Sequence, residues 1–544
     1  MLYTFTSYES VYDLYVAILK TAIVAAVMLS LLVSMDRLYK VGKYMQVAAR
    51  AHLTGRKPEH SFQCNSLPDP QQYSLVYPRV AVQLPMFNER AVCQAIIDSA
   101  CELSWPKNRF KVQVLDDSTD RTTRDLVDDK VVEWRERGVN IEVMRRTNRA
   151  GYKAGALKEG LERLAEYDYV AIFDADFKPD ADFLLLTVPY LIDNPEVGYV
   201  QTRWIFANPD ESYLTKAQEI SLNFHCKCEQ YVQFATGGFF NFNGTAGIWR
   251  RKTIVTVGGW KSRTTVEDMD LSLRTFVNGW KAIYLTETTC INELPASFFA
   301  YRKQQHRWTC GPVQLWRKAA VDIWNSSLPL FSKLDLIFCY FGIRKFATHW
   351  VSLGFFCTIV PLSVFTPEVS IPLWALVHLP VVVTVTTAIF TPKGWLHCIL
   401  YVLFENAMGI VKLGAVIAGM LDLKHAQEWV VTTKLGSSDK RPGTQMPTVP
   451  VRTCRFYAAE MVFSFFVLAS ASYGIFSVNK WSFSIFLTLQ GLVFFAFGLN
   501  LVDCGGLLGG RLGSNVPAKQ AKAKLEPAIQ NQVGTPTIGR TYTL

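Results

Sequence analysis

The 544 residues carry 56 Lys and Arg against 46 Asp and Glu, a net charge of +10, yet only 19% are charged and 50% are hydrophobic. Soluble proteins average roughly 25% charged residues, so the composition excludes a single soluble domain and predicts a membrane protein with a soluble middle. Nucleic acid is not expected as a partner, because the basic residues flank apolar spans and no nucleic-acid-binding motif is present.

The first element is an apolar run over residues 14–35, interrupted only by Lys20. One helix of that length crosses a bilayer, and no signal-peptide cleavage site follows, so residues 1–36 are predicted to be a retained transmembrane anchor. An amphipathic surface helix is the alternative. The segment 37–78 is rich in Arg and Lys and is predicted to be a basic linker. By the positive-inside rule it places the next domain in the cytosol.

Residues 79–330 show the pattern of an α/β domain. The alternation of apolar and polar residues predicts strands over 79–84, 110–115, 141–144 and 169–173 and helices over 91–101, 121–137 and 153–166. This order favours a mostly parallel sheet covered by helices on both faces. Such sheets bind ligands at the carboxyl ends of their strands.

Acidic clusters follow two of these strands. Asp116 and Asp117 follow the second strand, and Asp174 and Asp176 follow the fourth. Such clusters suit a nucleotide-sugar site, in which one carboxylate contacts the base or ribose and others hold Mg²⁺ or Mn²⁺ against the diphosphate. The alternative is that an Asp only caps the helix after each strand.

Glycines surround Lys153 in the stretch from Ala150 to Ala156. They would let the backbone approach a phosphate, so Lys153 is a candidate ligand of the donor. A solvated surface lysine is the alternative.

The stretch from Thr264 to Trp308 carries the candidate chemistry. An inverting transfer needs a carboxylate that accepts the proton of the acceptor hydroxyl, and Asp268 is the candidate, with Glu267 and Asp270 as competitors. The alternative is an acidic helix start stabilised by the dipole. Gln304 and Arg307 offer hydrogen bonds and positive charge to a departing diphosphate, and Trp308 offers a flat apolar face to a sugar.

After Phe331 the chain becomes apolar again. Residues 331–503 are predicted to hold membrane and interface helices, with spans near 347–366, 370–391, 456–478 and 480–502. The segment 395–421 is ambiguous, because Glu405, Asn406 and Lys412 interrupt it. The residues from 504 to 544 are Gly-rich and then polar, a composition typical of a disordered tail.

The chain resembles the processive family 2 glycosyltransferases in three features. These are the aspartate clusters, the segment Thr265-Val266-Glu267-Asp268, and Gln304-x-x-Arg307-Trp308 followed by membrane spans. Seven longer runs are similar to the plant and algal cellulose-synthase-like A and C groups. They are QLPMFNER, QVLDDSTD, GYKAGALKEG, VAIFDADF, FNGTAGIWR, RTTVEDMDL and YRKQQHRW. The resemblance spans about residues 75–435. It implies a glycosyltransferase A-type domain between an N-terminal transmembrane helix and a C-terminal helical transmembrane bundle.

The resemblance also implies roles for single residues. Asp117 and Glu89 would contact the nucleotide, Asp174 and Asp176 the diphosphate and metal, and Asp268 would be the base. The acceptor would lie against Gly244, Thr245 and Trp308. Residues 429–434 resemble the family's gating loop, with Trp429 where many members have Phe, and Thr432 and Lys434 would reach the diphosphate.

The gating loop has to lie on the side of the active site. Two crossings after the catalytic domain already return the chain to that side, so 395–421 is expected along the interface. This predicts five spans and a cytosolic tail. Some Golgi mannan synthases of the A group are thought to work on the luminal face, so the orientation stays open.

The function expected from the resemblance is a Golgi enzyme that builds a β-1,4-linked mannan or glucomannan from GDP-mannose and GDP-glucose. The alternative is a C-type β-1,4-glucan synthase that uses UDP-glucose for the xyloglucan backbone. A membrane scaffold with a degenerate transferase domain is the alternative of another class. A homo-oligomer or an accessory protein is an open possibility for either enzyme.

Overall fold

The computed structural model describes residues 2–68, 74–423, 455–478 and 481–503. An α/β domain lies between a long N-terminal helix and a C-terminal group of apolar helices. The eight strands, numbered in chain order, are β1 (Val80–Met86), β2 (Phe110–Asp116), β3 (Ile141–Met144), β4 (Tyr169–Ile172), β5 (Lys178–Pro179), β6 (Val197–Phe206), β7 (Gly247–Arg250) and β8 (Lys281–Asn292).

All eight strands form one sheet in the order β3-β2-β1-β4-β7-β6-β8-β5. The half β3-β2-β1-β4 is parallel, and β6 pairs in parallel with β8. β7 runs antiparallel to both β4 and β6, and β5 antiparallel to β8. The predicted mostly parallel α/β sheet is confirmed, and its first four strands are those predicted from the sequence.

The helices of the α/β domain cover this sheet and carry part of its core. They are α2 (Cys93–Cys101), α3 (Arg121–Glu136), α4 (Tyr152–Glu162), α5 (Phe183–Asp193), α6 (Tyr213–Phe224), α7 (Tyr231–Ala235), α8 (Arg251–Thr256), α9 (Glu267–Val277) and α10 (Phe298–Trp324), with π-helical turns over His225–Gln230 between α6 and α7. β1 and β4 are buried along their whole length, as expected for central strands covered on both faces.

The predicted basic linker is partly helical. Helix α1 runs from Leu2 to Thr54, so it continues well beyond the apolar run. Its basic half packs on the α/β domain, where Lys40 donates a 2.8 Å hydrogen bond to Gln233. The Tyr44 ring lies 4.8 Å from that of Phe390, which lies among the C-terminal helices. These contacts hold α1 against both the α/β domain and the C-terminal helices.

After α10, the described chain continues in apolar helices. They are α11 (Leu330–Leu334), α12 (Thr348–Trp350), α13 (Val360–Val364), α14 (Leu379–Ala388), α15 (Cys398–Leu421), α16 (Ala458–Phe476) and α17 (Trp481–Gly498), with π-helical stretches over Asp335–Ala347, Val351–Ile359 and Trp374–His378. Because π turns join α11, α12 and α13, the segment Leu330–Val364 is one continuous helix of 35 residues.

By length and composition, four helices of the described residues could cross a membrane: Val11–Thr54, Leu330–Val364, Gly394–Leu421 and Ala458–Phe476. The chain is therefore suited to a membrane. The predicted spans 370–391 and 480–502 correspond to shorter apolar helices, Trp374–Ala388 and Phe483–Gly498.

Helix α15 was predicted to lie along the interface, yet its length would allow it to cross. It runs beside α10: the Tyr301 and Phe404 rings lie 5.6 Å apart, and Arg317 donates a hydrogen bond to the carbonyl of Met420. Lys412 and Glu405, which interrupt its apolar sequence, form an ion pair at 2.6 Å. Contact with the basic helix α10 supports the interfacial position, which stays a prediction. The predicted gating loop and tail lie outside the described residues.

Candidate active site

A cleft of about 140 Å³ opens at the carboxyl ends of β1, β2 and β4, where the fold predicts a ligand site. Eleven of the thirteen candidate residues line it: Glu89, Asp117, Lys153, Asp174, Asp176, Gly244, Thr245, Asp268, Gln304, Arg307 and Trp308. The other two, Thr432 and Lys434, lie outside the described residues. The sheet and α10 thus bring together side chains more than 200 positions apart in sequence.

Asp116 and Asp117 are adjacent in sequence but lie in different environments. Asp116 is fully buried and accepts hydrogen bonds from Arg145 and the Ser118 amide. Asp117 lines the cleft, where Arg146 donates to both of its carboxylate oxygens. Helix α3 is capped by neither, since Asp120 accepts from the Thr123 amide at 2.9 Å. Asp117 is therefore the member of this cluster that a nucleotide can meet.

Lys153 bridges two parts of the cleft from the first turn of α4. Its ammonium group donates to Asp174 and, at 3.0 Å, to the carbonyl of Gly244. Burial alone would lower the pKa of Lys153, but the carboxylates of Asp174 and Glu267 outweigh it and raise that pKa. Lys153 is thus a fixed positive charge inside the site and not a solvated surface lysine.

Asp174 and Asp176 follow β4 and both line the cleft. Burial, together with the charge of Asp176, raises the pKa of Asp174, although Lys153 opposes this. The Asp174 amide donates to the Thr245 hydroxyl at 2.9 Å, which ties the loop after β4 to the loop before β7. The two carboxylates therefore share one small, partly neutralised space.

The carboxylates of Asp174 and Asp176 fit a divalent cation whose coordination shell is completed by a diphosphate. The described residues contain no group of three or more His, Cys, Asp or Glu side chains that could hold a metal by themselves. Mg²⁺ is commonly held by one or two carboxylates together with water and substrate phosphates. Asp174 and Asp176 supply that number of hard oxygen ligands, and a cation would relieve their mutual repulsion.

Asp268 is held at the start of α9, facing the loop that contains Gly244. A side-chain carbon added at Gly244 would fall 2.9 Å from the carboxylate of Asp268, and the backbone φ of Gly244 is +82°, so only glycine allows this approach. Burial, and to a smaller extent the negative charge of Glu267, raises the pKa of Asp268 to about 7. A carboxylate with such a pKa is well matched to accept a proton near neutral pH.

Asp270 and Glu267, the competitors of Asp268 for the role of base, lie in different environments. Asp270 is fully buried and accepts hydrogen bonds from Arg263 and from Arg274 at 2.9 and 3.0 Å. It does not line the cleft, so its role is to hold the start of α9. Glu267 does line the cleft, and burial raises its pKa as well. The competition is thus reduced to Glu267 and Asp268.

Gln304, Arg307 and Trp308 project from α10, whose first turn is capped by Ser297. Spacings of three and four residues put side chains on one face of a helix, which explains why Gln304, Arg307 and Trp308 reach the same cleft. Burial lowers the pKa of Arg307, opposed by Glu267 and Asp174. The Trp308 ring lies 6.4 Å from that of Trp204.

A second cavity of about 1150 Å³ lies among the C-terminal helices and meets the cleft. Seven residues line both spaces: Trp204, Leu222, Asn243, Val266, Asp268, Gln304 and Trp308. The candidate base and the candidate sugar platform are therefore at the junction of the two, where a growing product could leave the cleft.

Sequence reasoning missed several residues of the cleft, among them Phe87, Arg149, Trp204 and Glu293. Phe87 adjoins the predicted Glu89, and Arg149 lies just before the glycine-rich stretch around Lys153. Their proximity in sequence to these candidate residues could have indicated that Phe87 and Arg149 belong to the site. Trp204 and Glu293 come from β6 and the end of β8, strands that the sequence did not predict.

Comparison with known proteins places this geometry in context. Residues 81–254 match a model described as Glycosyl transferase family 2, and residues 169–390 one described as Glycosyl transferase family group 2. The chain is 43% identical to a glucomannan 4-beta-mannosyltransferase of Arabidopsis thaliana, over 87% of this chain and 88% of that protein. It is 40% identical to a glucomannan 4-beta-mannosyltransferase of Cyamopsis tetragonoloba, over 90% and 93%.

Among solved structures, the chain resembles a mannosyltransferase of Pyrobaculum calidifontis in complex with GDP-Man and Mn²⁺. The identity is 21% and the TM-score is 0.48, with 73% of this chain and 100% of that chain covered.

Proposed function

The chain belongs to the glucomannan 4-beta-mannosyltransferases of glycosyltransferase family 2, and we propose that it is a processive inverting enzyme that extends a β-1,4-linked mannan or glucomannan from GDP-mannose and GDP-glucose. Its relatives at 40–44% identity carry the name of that activity. The observation that carries the mechanism is the position of Asp268, half-buried in the cleft beside Gly244 and at the entrance to the large cavity.

In this mechanism Asp268 accepts the proton of the acceptor's attacking hydroxyl. The hydroxyl oxygen forms a bond to the anomeric carbon of the donor sugar, while the bond from that carbon to the diphosphate oxygen breaks on the opposite face. The pKa of about 7 keeps a substantial fraction of Asp268 ionised at neutral pH. Glu267 supports this by raising that pKa.

The leaving nucleotide diphosphate is stabilised by positive charge in the same cleft. Lys153 and Arg307 both line the cleft. The carboxylates of Asp174 and Glu267 act to raise the pKa of both and so favour their charged forms. Fixed cations in a water-poor site stabilise developing negative charge strongly. A Mg²⁺ or Mn²⁺ ion held by Asp174 and Asp176 would neutralise further charge on the diphosphate.

The acceptor end of the glycan is proposed to lie against Gly244, Thr245 and Trp308. Trp308 offers its ring to a sugar, and Gln304 beside it offers an amide for hydrogen bonds. The product would then move into the cavity of about 1150 Å³. Thr432 and Lys434 of the proposed gating loop would close the donor site from outside the described residues.

The proposal places the enzyme in the Golgi membrane as a multi-pass protein. Its partners would be the nucleotide sugar, the nascent polysaccharide and the bilayer, and a homo-oligomer or an accessory protein is compatible with it. The C-type alternative using UDP-glucose and the scaffold alternative are not favoured by the relatives, which are glucomannan synthesising enzymes by name.

The test uses membranes from cells that express the full chain. Labelled GDP-mannose, GDP-glucose and UDP-glucose are supplied separately with Mg²⁺ or Mn²⁺, and the products are digested with linkage-specific mannanase and glucanase. Mannanase-sensitive polymer from GDP-mannose is expected, and none from the matched Asp268→Asn variant. Polymer from UDP-glucose alone would overturn the donor assignment, and no polymer from any donor would overturn the enzymatic proposal.

A further inference from the structure

The cleft has two ends that differ in their charged groups. Lys153 and Arg307 lie among Asp174, Glu267 and Asp268, which marks the end where the diphosphate and sugar are transferred. Arg149 lines the cleft together with Phe87 and Asp117. Burial lowers the pKa of Arg149, and among the carboxylates Asp117 opposes this. Arg149 and Asp117 therefore mark the other end, where the base of the nucleotide would lie if the proposed function is correct.

Arg149 lies in this end of the cleft with its hydrogen-bonding capacity unused. Its guanidinium carbon lies 3.3 Å from the centre of the Phe87 ring and 5.3 Å from that of Tyr152. Within the described part of the chain its side chain makes no hydrogen bond and no ion pair, and its Nε is buried without a partner. The neighbouring Arg145 and Arg146, in contrast, are paired with Asp116 and Asp117.

The backbone around Arg149 is held in place. The Tyr152 amide donates to the carbonyl of Arg149 at 2.9 Å, and Arg146 donates to the carbonyls of Ala150 and Tyr152, both at 2.9 Å. Gly151 and Tyr152 both have positive φ angles, +68° and +49°, which marks a turn that its surroundings fix. Arg149 is therefore a rigidly placed donor group and not a mobile surface arginine.

Stacking on Phe87 uses the face of the guanidinium and leaves the N–H groups at its edge free for an acceptor in the same plane. Guanine presents two adjacent acceptors, O6 and N7, to which an arginine binds with two parallel hydrogen bonds. Uracil has no such pair, since its carbonyl oxygens flank an N–H donor. An unpaired arginine fork in the base end of the cleft therefore matches guanine better than uracil.

We propose that Arg149, stacked on Phe87, binds O6 and N7 of the guanine base and so selects guanosine diphosphate sugars over uridine diphosphate sugars. This inference rests on the proposed function and adds to it the residue that determines the base. Asp117 remains beside it as an acceptor for the ribose or for the donor edge of the base. Arg149 binds the donor and takes no part in proton transfer.

The test measures nucleotide binding by calorimetry to the purified full chain in lipid nanodiscs, with Mg²⁺ present. The ligands are GDP, UDP and 7-deaza-GDP, in which a C–H group replaces N7. Arg149→Lys keeps the positive charge but removes the planar guanidinium with its parallel N–H donors. Arg149→Gln removes both the charge and the guanidinium. The exposed Arg163 on the same domain provides the matched control, Arg163→Gln.

Wild type is expected to bind GDP about 10- to 100-fold more tightly than either Arg149 variant, a loss typical of one bidentate base contact. UDP binding should change little, and Arg163→Gln should behave as wild type. 7-Deaza-GDP should bind more weakly than GDP to wild type, and this difference should shrink in Arg149→Gln, because the pair of parallel hydrogen bonds to O6 and N7 is then lost.

Three results would overturn the inference while the proposed function survives. One is that wild type prefers GDP and the Arg149 variants keep that preference. Another is an equal loss of GDP and UDP binding, which would place Arg149 on the diphosphate. The third is unweakened binding of 7-deaza-GDP to wild type, a measurement that needs no variant. A wild type that binds UDP in preference to GDP would instead overturn the donor of the proposed function.

Discussion

The cleft at the sheet edge and the cavity among the C-terminal helices differ in how the chain builds them. The cleft is small, about 140 Å³, and its acidic residues follow strands or begin a helix, each within a short recognisable stretch. The cavity is about 1150 Å³, and its lining comes mostly from helices between Ser30 and Leu489. The residues of the cleft are thus encoded in short local stretches, whereas the cavity depends on how distant helices pack.

Charge also distinguishes the two regions. In the cleft, carboxylates and cations share one space, and the pKa of Asp268 is raised to about 7 by burial and Glu267. In the cavity, Arg344 is paired with Asp36 at 2.8 Å and Lys412 with Glu405 at 2.6 Å, and apolar residues of α14 and α17 form much of the remaining lining. Carboxylates and cations are therefore crowded together in the cleft, whereas much of the cavity wall is apolar.

The largest effect is expected at the junction of the two regions. Asp268→Asn removes the proposed base without changing its shape, so kcat should fall about 10²- to 10⁴-fold while the Kd for GDP stays close to that of wild type. Initial rates with labelled GDP-mannose and calorimetry with GDP measure the two quantities. Retention of the wild-type rate would refute the catalytic role of Asp268.

The neighbouring Asp270→Asn provides a contrast within one helix turn. It should lower stability, because Arg263 and Arg274 lose their carboxylate partner, and it should leave the pH dependence of the remaining activity unchanged. A shifted pH profile in this variant would contradict the division between a structural Asp270 and a catalytic Asp268.

A second large effect is expected where α10 meets the membrane helices. The almost fully buried Glu460 pairs with Arg302 on α10, two residues before Gln304. Glu460→Gln leaves a partly buried arginine without its carboxylate, at a cost of about 3–5 kcal/mol, and should lower the midpoint of thermal inactivation by several degrees. The control is Glu287→Gln in the exposed pair with Lys57, where about 1 kcal/mol or less is expected. Equal shifts would refute an anchoring role for Glu460.

The pH dependence should report on the cleft alone. Because the base has to be ionised, kcat/KM should fall about ten-fold for each unit of pH below about 7 and level off above it. Glu267→Gln removes the charge that helps to raise the pKa of Asp268, so the inflection should move to lower pH. An inflection that does not move would show that Glu267 exerts no such influence.

The smallest effect is expected from narrowing the cavity. Ser352 lines it, whereas Val382 on the neighbouring α14 is exposed and does not. Ser352→Trp should slow polymer synthesis about five-fold, the equivalent of roughly 1 kcal/mol of crowding, and shorten the product without affecting GDP binding. Val382→Trp is the control. Unchanged chain length in Ser352→Trp would argue that the product does not use this cavity.

The sequence determined the first half of the sheet and most of the cleft. The strand patterns that end at Leu115, Met144 and Phe173 predicted three strands to within one residue, because apolar residues recur along each pattern and a charged residue follows it directly. The motifs also placed eleven candidate residues in one cleft, since parallel strands deliver their carboxyl ends to one edge.

Tertiary structure alone decided which of several neighbouring groups face the cleft. Asp116 and Asp270 are acidic like Asp117 and Asp268, but they are fully buried and paired with arginines away from the cleft, whereas Asp117 and Asp268 line it. Arg149 is an arginine close in sequence to Arg145 and Arg146, but among the residues that the structure describes it forms no ion pair, whereas those two are paired with Asp116 and Asp117. The cavity likewise has no sequence signal, because its shape is a sum of contacts between helices far apart in the chain. Residue type and spacing are local properties, whereas burial and pairing depend on the whole fold.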